Sequence, residues 1–311
     1  MKLDAKIYVA GHRGLVGSAI VRKLLGLGYT NLVVKTRQEV NLLDQSAVAK
    51  FFAEEKPEYV FMAAAKVGGI HANNVYRADF IYENLVVQNN VIHEAYTAGV
   101  QKMVFLGSSC IYPKLAPQPI KEDYLLTGPL EETNQPYAIA KIAGIELCNS
   151  YNRQYGTHYM SVMPTNLYGP GDNFDLNNSH MLPALSRKFS EAKANNSPTV
   201  SVWGTGTPRR ELMHVDDLAD AVVYLMQNYD GKEIVNIGTG KDHTILEIAN
   251  IVKQVVGYAG EIVLDSTKPD GTPQKLLDVA RINGLGWTAQ ITLEEGVQRT
   301  VEWYRTNIVK A

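Results

Sequence analysis

The chain has 311 residues, with 45% hydrophobic residues, 20% charged residues and a net charge of −2 at pH 7. These values are typical of a globular protein with one large and one small domain, and the small net charge gives no basic field to attract nucleic acid or an anionic membrane. Cys110 and Cys148 cannot build a disulfide framework and lack the spacing of a metal site, so we expect a reduced, cytoplasmic protein without a metal. We find no secretory signal core and no apolar run long enough to span a membrane, so we expect a soluble protein.

Short apolar runs alternate with amphipathic segments through the first half of the chain. The predicted strands are residues 6–10, 31–34, 59–65, 102–107 and 159–163, and the predicted helices are residues 15–27, 45–54, 80–98 and 137–155. Continuous apolar strands between helices predict an α/β fold with a doubly wound parallel sheet, a Rossmann fold, whose ligands bind at the carboxyl ends of the strands. We assign residues 1–166 to this nucleotide-binding domain.

The sequence changes character after Asn166. Residues 166–179 are rich in Asn, Gly, Pro and Asp, which predicts a loop. The later predicted elements are helices at 181–194, 215–227, 245–256 and 292–306 and strands at 199–203, 233–238 and 261–265. We therefore expect residues 167–311 to form mainly a smaller C-terminal α/β lobe that binds the substrate, with the strand near 233–238 rejoining the large sheet.

Three glycines follow the first predicted strand and open the first predicted helix. Gly11, Gly14 and Gly17 have the spacing G-x-x-G-x-x-G, and Leu15 and Val16 lie between them. Glycines here permit a tight turn and a close approach of the backbone to a pyrophosphate, which the N–H groups of the helix N-terminus can bind. These five residues are candidate cofactor contacts, and a plain strand-to-helix turn is the alternative. The spacing resembles that of the extended short-chain dehydrogenase/reductase superfamily.

The tip of the second predicted strand distinguishes between dinucleotides. A site for NAD commonly has Asp or Glu here to bind the ribose 2′-hydroxyl, whereas this chain has Lys35, Thr36 and Arg37. A guanidinium suits a 2′-phosphate by charge and by geometry. We therefore predict NADP(H), with Arg37 as a cofactor contact. In the alternative, Lys35 and Arg37 are solvated and Glu39 binds the ribose.

Tyr137 and Lys141 lie four residues apart at the start of a predicted helix and so share one face. A free tyrosine has a pKa of about 10, and a neighbouring ammonium lowers that pKa toward the range of proton transfer at neutral pH. Ser108, at the end of the fourth strand, can hydrogen-bond the same substrate oxygen, and the superfamily resemblance favours it over Ser109. We predict that the three groups handle a carbonyl or hydroxyl oxygen while hydride moves at the carbon; a chance pair on a helix face is the alternative.

Longer segments carry a narrower resemblance. They are AAAKVGGIHANN (63–74), LGSSCIYPK (106–114), PYAIAKIAG (136–144), SVMPTNLYGP (161–170), NNSHMLPAL (177–185), RRELMHVDDLA (209–219) and KPDGTPQKLLDVARINGLGW (268–287). Through them the chain resembles the GDP-L-fucose synthases, a family of the extended superfamily, almost from end to end. The resemblance implies NADPH-dependent conversion of GDP-4-keto-6-deoxy-D-mannose to GDP-L-fucose, by epimerisation at C3 and C5 and reduction at C4.

The resemblance also implies roles for individual residues. Ser108, Tyr137 and Lys141 would act on the C4 oxygen, and Cys110 and His180 would exchange protons beside it, with Cys110 as the base and His180 as the acid. From the residues alone, Cys110 fits a small buried hydrophobic residue better than a catalytic thiol, and His180 fits a helix cap or a surface residue as well as an acid.

Ligand contacts follow from the same resemblance. The implied cofactor contacts are Leu106, Gly107, Ser109, Lys141, Pro164, Asn166, Leu167 and His180. The implied contacts to the GDP-sugar are Lys188, Trp203, Arg210 and Asp270. Trp203 in the core and Asp270 in a turn are the alternatives.

Other residues near these positions are interpreted as structural. We place Arg210 after a strand and expect Arg209 to be solvated. We expect Asp216 and Asp217 to be the N-cap and the first-turn acid of a helix, and Cys148 to pack in the interior.

The superfamily resemblance also implies a homodimer, formed through the helices at 80–98 and 137–155. Among enzymes, the alternatives are another extended-family nucleotide-sugar epimerase or a dehydratase, which would normally carry Thr and an Asp-Glu pair at positions 108–110. The alternative of a different class is a non-catalytic NADP-sensing module, which typically lacks the Tyr or the Lys of the pair.

Overall fold

A parallel β-sheet with helices on both faces forms the centre of the molecule. The computed structural model describes residues 1–176, 178–268 and 270–309. The strands are β1 (Ile7–Ala10), β2 (Leu32–Val33), β3 (Tyr59–Met62), β4 (Lys102–Leu106), β5 (Tyr159–Pro164), β6 (Asn166–Tyr168), β7 (Thr199–Trp203), β8 (Arg209–His214), β9 (Val235–Ile237), β10 (Asp242–Thr244), β11 (Glu261–Asp265) and β12 (Gln274–Lys275). The α-helices are α1 (Leu15–Gly26), α2 (Gln45–Glu55), α3 (Ile70–Val75), α4 (Arg77–Thr97), α5 (Gln135–Tyr155), α6 (Met181–Ala194), α7 (Val215–Asn228), α8 (Ile245–Val256), α9 (Ala280–Gly284) and α10 (Leu293–Tyr304). Within the described ranges, no helix is both long enough and apolar enough to cross a bilayer.

Six strands form the parallel sheet, in the order β2-β1-β3-β4-β5-β9. Helices α1 and α7 cover one face, where Ile20 and Leu24 pack against Val222. Helices α2, α4 and α5 cover the other face, where Phe51 and Ile92 are buried. Strands β1, β4 and β5 are buried along their whole length, which explains their continuous apolar sequences. The predicted doubly wound α/β fold is confirmed.

The last strand of this sheet comes from late in the chain. Strand β9 pairs with β5 in parallel, with Val235 opposite Val162 and Ile237 opposite Pro164. The predicted return of residues 233–238 to the large sheet is therefore confirmed. The division at residue 166 stays a prediction, since α7, which lies beyond it, packs against α1 on the large sheet.

Strand β8 organises the smaller lobe. It pairs with β10 in antiparallel and with β12 and β6 in parallel, while β7 and β11 form a separate parallel pair. Helices α6, α8 and α10 pack together over this lobe through a core that includes Phe189, Val252 and Val297. The lobe is thus built around one strand that also touches the end of the large sheet through β6.

Four strands, β6, β8, β10 and β12, are not predicted from the sequence. Strand β6 lies inside the predicted loop at 166–179, and β10 and β12 are only two or three polar residues long. Each becomes a strand because β8 supplies a partner, which local sequence does not reveal. The placement of Arg210 after a strand is therefore wrong: it lies within β8.

The start of α7 also differs from the prediction. His214 is the N-cap, and its Nδ1 accepts the Asp216 N–H at 3.2 Å. Asp216 and Asp217 both lie in the first turn, so the prediction that one of them is the cap is wrong. Asp217 instead accepts the N–H of Ile291 at 2.9 Å and so holds the segment that precedes α10.

Glu211 lies at the centre of β8 and is completely buried. Its Oε1 accepts the N–H groups of Thr239 at 2.7 Å and Gly240 at 2.8 Å, in the turn after β9. Its Oε2 accepts the N–H of Leu277 at 2.9 Å, just after β12. One carboxylate therefore joins the central strand of the small lobe to the edge of the large sheet and to the segment that follows β12.

Replacing Glu211 with Ala should remove the acceptor for three backbone N–H groups and destabilise the fold by about 3 kcal/mol or more. Urea denaturation followed by circular dichroism measures the change in the free energy of unfolding. The matched control is Glu261→Ala, at an exposed position in β11, with an expected change within about 0.5 kcal/mol. Equal losses in the two variants would contradict the role given to Glu211.

Candidate active site

The glycine-rich turn forms a cradle at the carboxyl end of β1. Gly11 has a φ of +83°, which disfavours other residues, and a Cβ on Gly17 would lie 2.1 Å from the Gly11 carbonyl oxygen. Gly14 is the N-cap of α1 and offers no side-chain acceptor, so the N–H groups of Leu15 and Val16 open the helix without a capping side chain. The cradle therefore fits a phosphate group at a helix N-terminus.

A cleft of about 380 Å³ adjoins the cradle. It is lined by Gly11, His12, Arg13, Gly14, Lys35, Thr36, Arg37 and Gln38. The carboxylate of Glu39 turns back to its own loop, where it accepts the Thr36 N–H at 2.7 Å and the Thr36 hydroxyl at 2.6 Å. Arg37 is exposed at the cleft, so the side chains fit a 2′-phosphate better than a ribose bound by Glu39.

The segment after β4 brings together the first group of candidate catalytic residues. A Cβ on Gly107 would lie 2.5 Å from the Met163 sulfur, so the chain can pass β5 only without a side chain there. Ser108 then caps a short 3-10 helix, Ser109–Ile111, and its hydroxyl accepts the Cys110 N–H at 3.2 Å. Ser109 is buried, whereas Cys110 is half-buried.

Helix α5 places Tyr137 and Lys141 beside this segment. Pro136 starts the helix, and the Lys141 ammonium donates to the Leu106 carbonyl at 2.7 Å. The ammonium also lies 5.9 Å from the centre of the Tyr137 ring. Burial lowers the pKa of Lys141 to about 8.

The pKa of Tyr137 differs from the prediction. Burial raises it, Cys110 raises it further, and hydrogen bonding to Ser108 opposes the rise. Lys141 does not lower it: its ammonium donates to the Leu106 carbonyl, and its own pKa is lowered to about 8, so it has lost its charge at the pH where the tyrosine would ionise. Tyr137 therefore holds its proton at neutral pH and is suited to donating it.

Cys110 has a partner that the sequence analysis did not identify. The Lys275 ammonium, on β12, donates to the Cys110 sulfur at 3.3 Å. Burial disfavours the thiolate, but the charge of Lys275 and hydrogen bonds from Ser108 and Lys275 outweigh it and lower the pKa of Cys110. The thiol is therefore an ionisable group rather than only a packing residue. Cys148, by contrast, is fully buried in α5, and burial raises its pKa to about 12.

His180 is the N-cap of α6, but its side chain makes no capping hydrogen bond. Desolvation and the charge of Lys275 both lower the pKa of its imidazole. The loop before it contacts the segment after β3, where the Gly69 N–H donates to the Asn178 carbonyl at 3.2 Å. Lys275 is thus the common charged neighbour of Cys110 and His180.

The predicted contacts at the ends of β5 and β6 lie at the same edge of the sheet. Pro164 ends β5, and Asn166 and Leu167 lie in β6 directly after it. The Asn166 amide donates to the Glu211 carbonyl at 3.0 Å, which fixes this turn against β8. Their contact with a cofactor stays a prediction.

Trp203 is 61% exposed at the end of β7, which excludes the alternative that it lies in the core. The ammonium groups of Lys188 and Lys268 each lie 5.5 Å from the centre of its ring. Lys268 was not predicted, because nothing in the local sequence links it to a tryptophan 65 residues earlier. Two cations around one exposed aromatic face fit an anionic ligand with a flat ring.

The other two predicted substrate contacts are Asp270 and Arg210. Asp270 contacts Thr205, two residues after Trp203, and Arg210 follows Trp203 by seven residues. Both carboxylate oxygens of Asp270 accept hydrogen bonds from Thr205, from its N–H at 2.7 Å and from its hydroxyl at 2.9 Å, so Asp270 joins its own loop to the segment after β7. Arg210 is half-buried and its guanidinium donates to the Arg209 carbonyl at 2.8 Å. Arg209 itself pairs with Asp242 at 2.8 Å rather than being freely solvated. Binding of substrate by Arg210 and Asp270 stays a prediction.

Residues 7–238 match the family model described as the NAD-dependent epimerase/dehydratase family. The chain belongs to this family. Among curated members, it is 62% identical to a putative GDP-L-fucose synthase 2 of Arabidopsis thaliana over 100% of this chain and 94% of that protein. It is 56% identical to the GDP-L-fucose synthase of Escherichia coli K12, over 97% of both chains.

The structure agrees with this epimerase/dehydratase assignment. A GDP-L-fucose synthetase from Naegleria fowleri, solved with NADP bound, superposes with a TM-score of 0.93 at 29% identity. The match covers 100% of this chain and 97% of that one. The resemblance inferred from the sequence motifs is confirmed.

The cleft beside the cradle predicts a specific effect of Arg37. Replacing Arg37 with Ala should weaken binding of NADPH by roughly tenfold to a hundredfold, the loss expected for charge-assisted hydrogen bonds, and leave NADH binding nearly unchanged. Titration calorimetry with both nucleotides measures the difference. Gln38→Ala, an uncharged change in the same cleft, is the control. An equal loss for both nucleotides would show that Arg37 does not contact the 2′-phosphate.

Proposed function

We propose that this protein is an NADPH-dependent enzyme that converts GDP-4-keto-6-deoxy-D-mannose to GDP-L-fucose, by inverting C3 and C5 and reducing the ketone at C4. The observation that carries the proposal is the meeting of two sets of groups at one sheet edge: Ser108 and Tyr137, suited to the ketone oxygen, and Cys110, an ionisable thiol. The relatives named above, called GDP-L-fucose synthases, support the same activity.

The chain holds NADP(H) at the carboxyl end of the large sheet. NADPH, when bound, supplies the hydride that reduces C4. The cradle at 11–17 fits the pyrophosphate, and Arg37 fits the 2′-phosphate. Lys141, Pro164 and the start of β6 complete the predicted contacts.

Ser108 and Tyr137 act on the ketone oxygen in both stages. A hydroxyl and a protonated phenol can stabilise negative charge on that oxygen while a neighbouring carbon is deprotonated. Because the pKa of Tyr137 is raised, the phenol still carries its proton when the C4 alkoxide forms, and can donate it. Lys141, one turn further along α5, donates to the Leu106 carbonyl at 2.7 Å and so holds the start of α5 against the end of β4.

Cys110 and His180 carry out the two inversions. The C4 ketone acidifies the hydrogens on C3 and C5, so a moderate base can remove them. The Cys110 thiolate takes a proton from one face of the ring, and His180, as the imidazolium, returns one to the opposite face. The lowered pKa of Cys110 brings its thiolate within reach of neutral-pH proton transfer. The lowered pKa of His180 makes its imidazolium a stronger acid that is less populated at the same pH.

The small lobe binds the GDP end of the substrate. Lys188, Lys268 and Arg210 supply positive charge for the diphosphate, and the exposed Trp203 ring can stack on a flat ring. Asp270 orders the adjacent loop through its hydrogen bonds to Thr205.

A homodimer and a cytoplasmic location stay part of the proposal. Support for the dimer comes from α4 and α5, which pack together and leave aromatic side chains in solvent. Tyr82 is 65% exposed, and the rings of Tyr96 and Tyr155 stack with centres 4.3 Å apart at the surface. Two copies of this helical pair would cover these side chains.

Incubation of the protein with NADPH and GDP-4-keto-6-deoxy-D-mannose should oxidise NADPH and yield GDP-L-fucose. The loss of reduced-nicotinamide absorbance and the proton NMR spectrum of the sugar product measure the two results. Tyr137→Phe, which keeps the ring but removes the proton donor, should lower the reduction rate by about a hundredfold or more. Oxidation of NADPH without inversion at C3 and C5 would restrict the activity to a C4 reductase.

Replacing Cys110 with Ser should lower deuterium exchange at C3 and C5 in heavy water by at least about a hundredfold, because serine does not ionise in this pH range. Reduction of an already inverted substrate should be affected much less. Cys148→Ser is the control, since that thiol is buried in α5 away from solvent. Unchanged exchange in Cys110→Ser would make Cys110 a packing residue.

A further inference from the structure

Lys275 is a charged residue to which the sequence resemblance gives no role. Its ammonium lies 3.3 Å from the Cys110 sulfur, and its charge also acts on His180. It is 165 residues from Cys110 in the chain. The pairing of β12 with β8, together with the bridge between Ile120 and Leu277, brings the two residues together. Lys275 is therefore adjacent to both groups that the proposed reaction uses for inversion.

Strand β8 and the Gln118 side chain both hold the backbone around Lys275 in place. In β12, Lys275 lies opposite Arg210 of β8. Directly after it, the Leu276 N–H donates to the Gln118 side chain at 2.8 Å, and the Leu277 N–H donates to Glu211 at 2.9 Å. Because its neighbours are anchored, the backbone fixes where the ammonium can reach.

The other groups that face Cys110 do not supply a positive charge. Ser108, on the same segment, is neutral, and Tyr137, on α5, is protonated at neutral pH. The pKa of His180, at the start of α6, is lowered by desolvation and by the charge of Lys275, so its imidazole is mainly neutral at neutral pH. Among the described residues around Cys110, Lys275 supplies the positive charge that stabilises the thiolate.

We propose that Lys275 is the counter-ion that holds Cys110 as a thiolate and thereby makes Cys110, rather than His180, the base of the inversion steps. That Lys275 stabilises the thiolate follows from the 3.3 Å contact between its ammonium and the Cys110 sulfur. That this affects catalysis rests on the proposed function. Lys275 is a positioning residue: it acts through Cys110 and not on the sugar.

One positive charge suits the two partners in different ways. It stabilises the thiolate of Cys110, so the base is populated. It also destabilises the imidazolium of His180, which is then a stronger acid when protonated but is protonated in fewer molecules at neutral pH. In each inversion the thiolate takes the C3 or C5 proton and becomes a thiol, while the C–H electron pair moves toward the C4 oxygen to form the enolate. The imidazolium then protonates the opposite face, the ketone re-forms, and His180 is left neutral. Before the next inversion the Cys110 thiol releases its proton to water, and the His180 imidazole takes one up from water.

The first test measures the thiol without any turnover. The rate of alkylation by iodoacetamide is followed against pH for the wild type, Lys275→Met and Lys275→Arg, with Cys110→Ser to confirm which thiol reacts; Cys148 is buried and does not compete. Lys275→Met should move the inflection upward by about one pH unit or more, and Lys275→Arg should keep it near the wild-type value. An inflection that does not move in Lys275→Met overturns the proposal.

Folding is controlled in the same experiment. Lys275→Gln, which keeps polarity and loses the charge, replaces Lys275→Met if the latter does not fold, and should give the same upward shift. Lys50→Met removes an ammonium that is 76% exposed on α2, and should leave the inflection unchanged. A shift in Lys50→Met as large as that in Lys275→Met would show a non-specific effect of net charge and would also overturn the proposal.

The second test measures catalysis. In Lys275→Met, deuterium exchange at C3 and C5 should fall by about tenfold or more at neutral pH and recover as the pH rises, whereas Lys275→Arg should retain exchange. A uniform loss at all pH values, without recovery, would indicate a structural role and contradict the proposal. If the wild type shows no exchange at all, the proposed function fails, and the alkylation profile still decides whether Lys275 holds the thiolate.

Discussion

The buried carboxylate of Glu211 holds together three parts of the chain that are distant in sequence. It accepts hydrogen bonds from Thr239, Gly240 and Leu277 and lies in the central strand of the small lobe. A carboxylate without partners would be costly to bury, so this arrangement is stable only when all three segments are in place. The carboxyl edge of the large sheet, β8 and β12 are therefore fixed relative to one another, and the residues from both lobes meet in one site.

The same linkage explains which features the sequence could predict. The glycine cradle, the β4 end and the start of α5 are local patterns with a known physical reason, and their predicted places agree with the structure. Strands β10 and β12 have no local signal, because pairing with β8 creates them. Lys275 lies in the segment 268–287, which carries part of the sequence resemblance. Its contact with Cys110 depends on the pairing of distant segments, so no local sequence pattern predicts it.

The local environments of Tyr137 and Cys110 shift their pKa values in opposite directions. Tyr137 is half-buried, and desolvation and the neighbouring Cys110 raise its pKa. Cys110 lies beside the Lys275 ammonium, which lowers the pKa of the thiol. The sequence analysis predicted that Lys141 would lower the pKa of Tyr137. In the structure the Lys141 ammonium donates to the Leu106 carbonyl. Residue types alone could not settle this, because the direction of a pKa shift depends on which neighbour is closest and how far water is excluded.

The order of strands in the large sheet has a consequence for synthesis of the chain. Strand β9, residues 235–237, covers the edge of β5, whose residues emerge from the ribosome some seventy positions earlier. Until then the nascent nucleotide-binding half presents a strand edge with unpaired backbone N–H and C=O groups and mostly apolar side chains, which is the kind of surface that pairs with other chains. The two lobes are thus expected to mature as one cooperative unit, and a fragment ending after β5 should aggregate rather than fold.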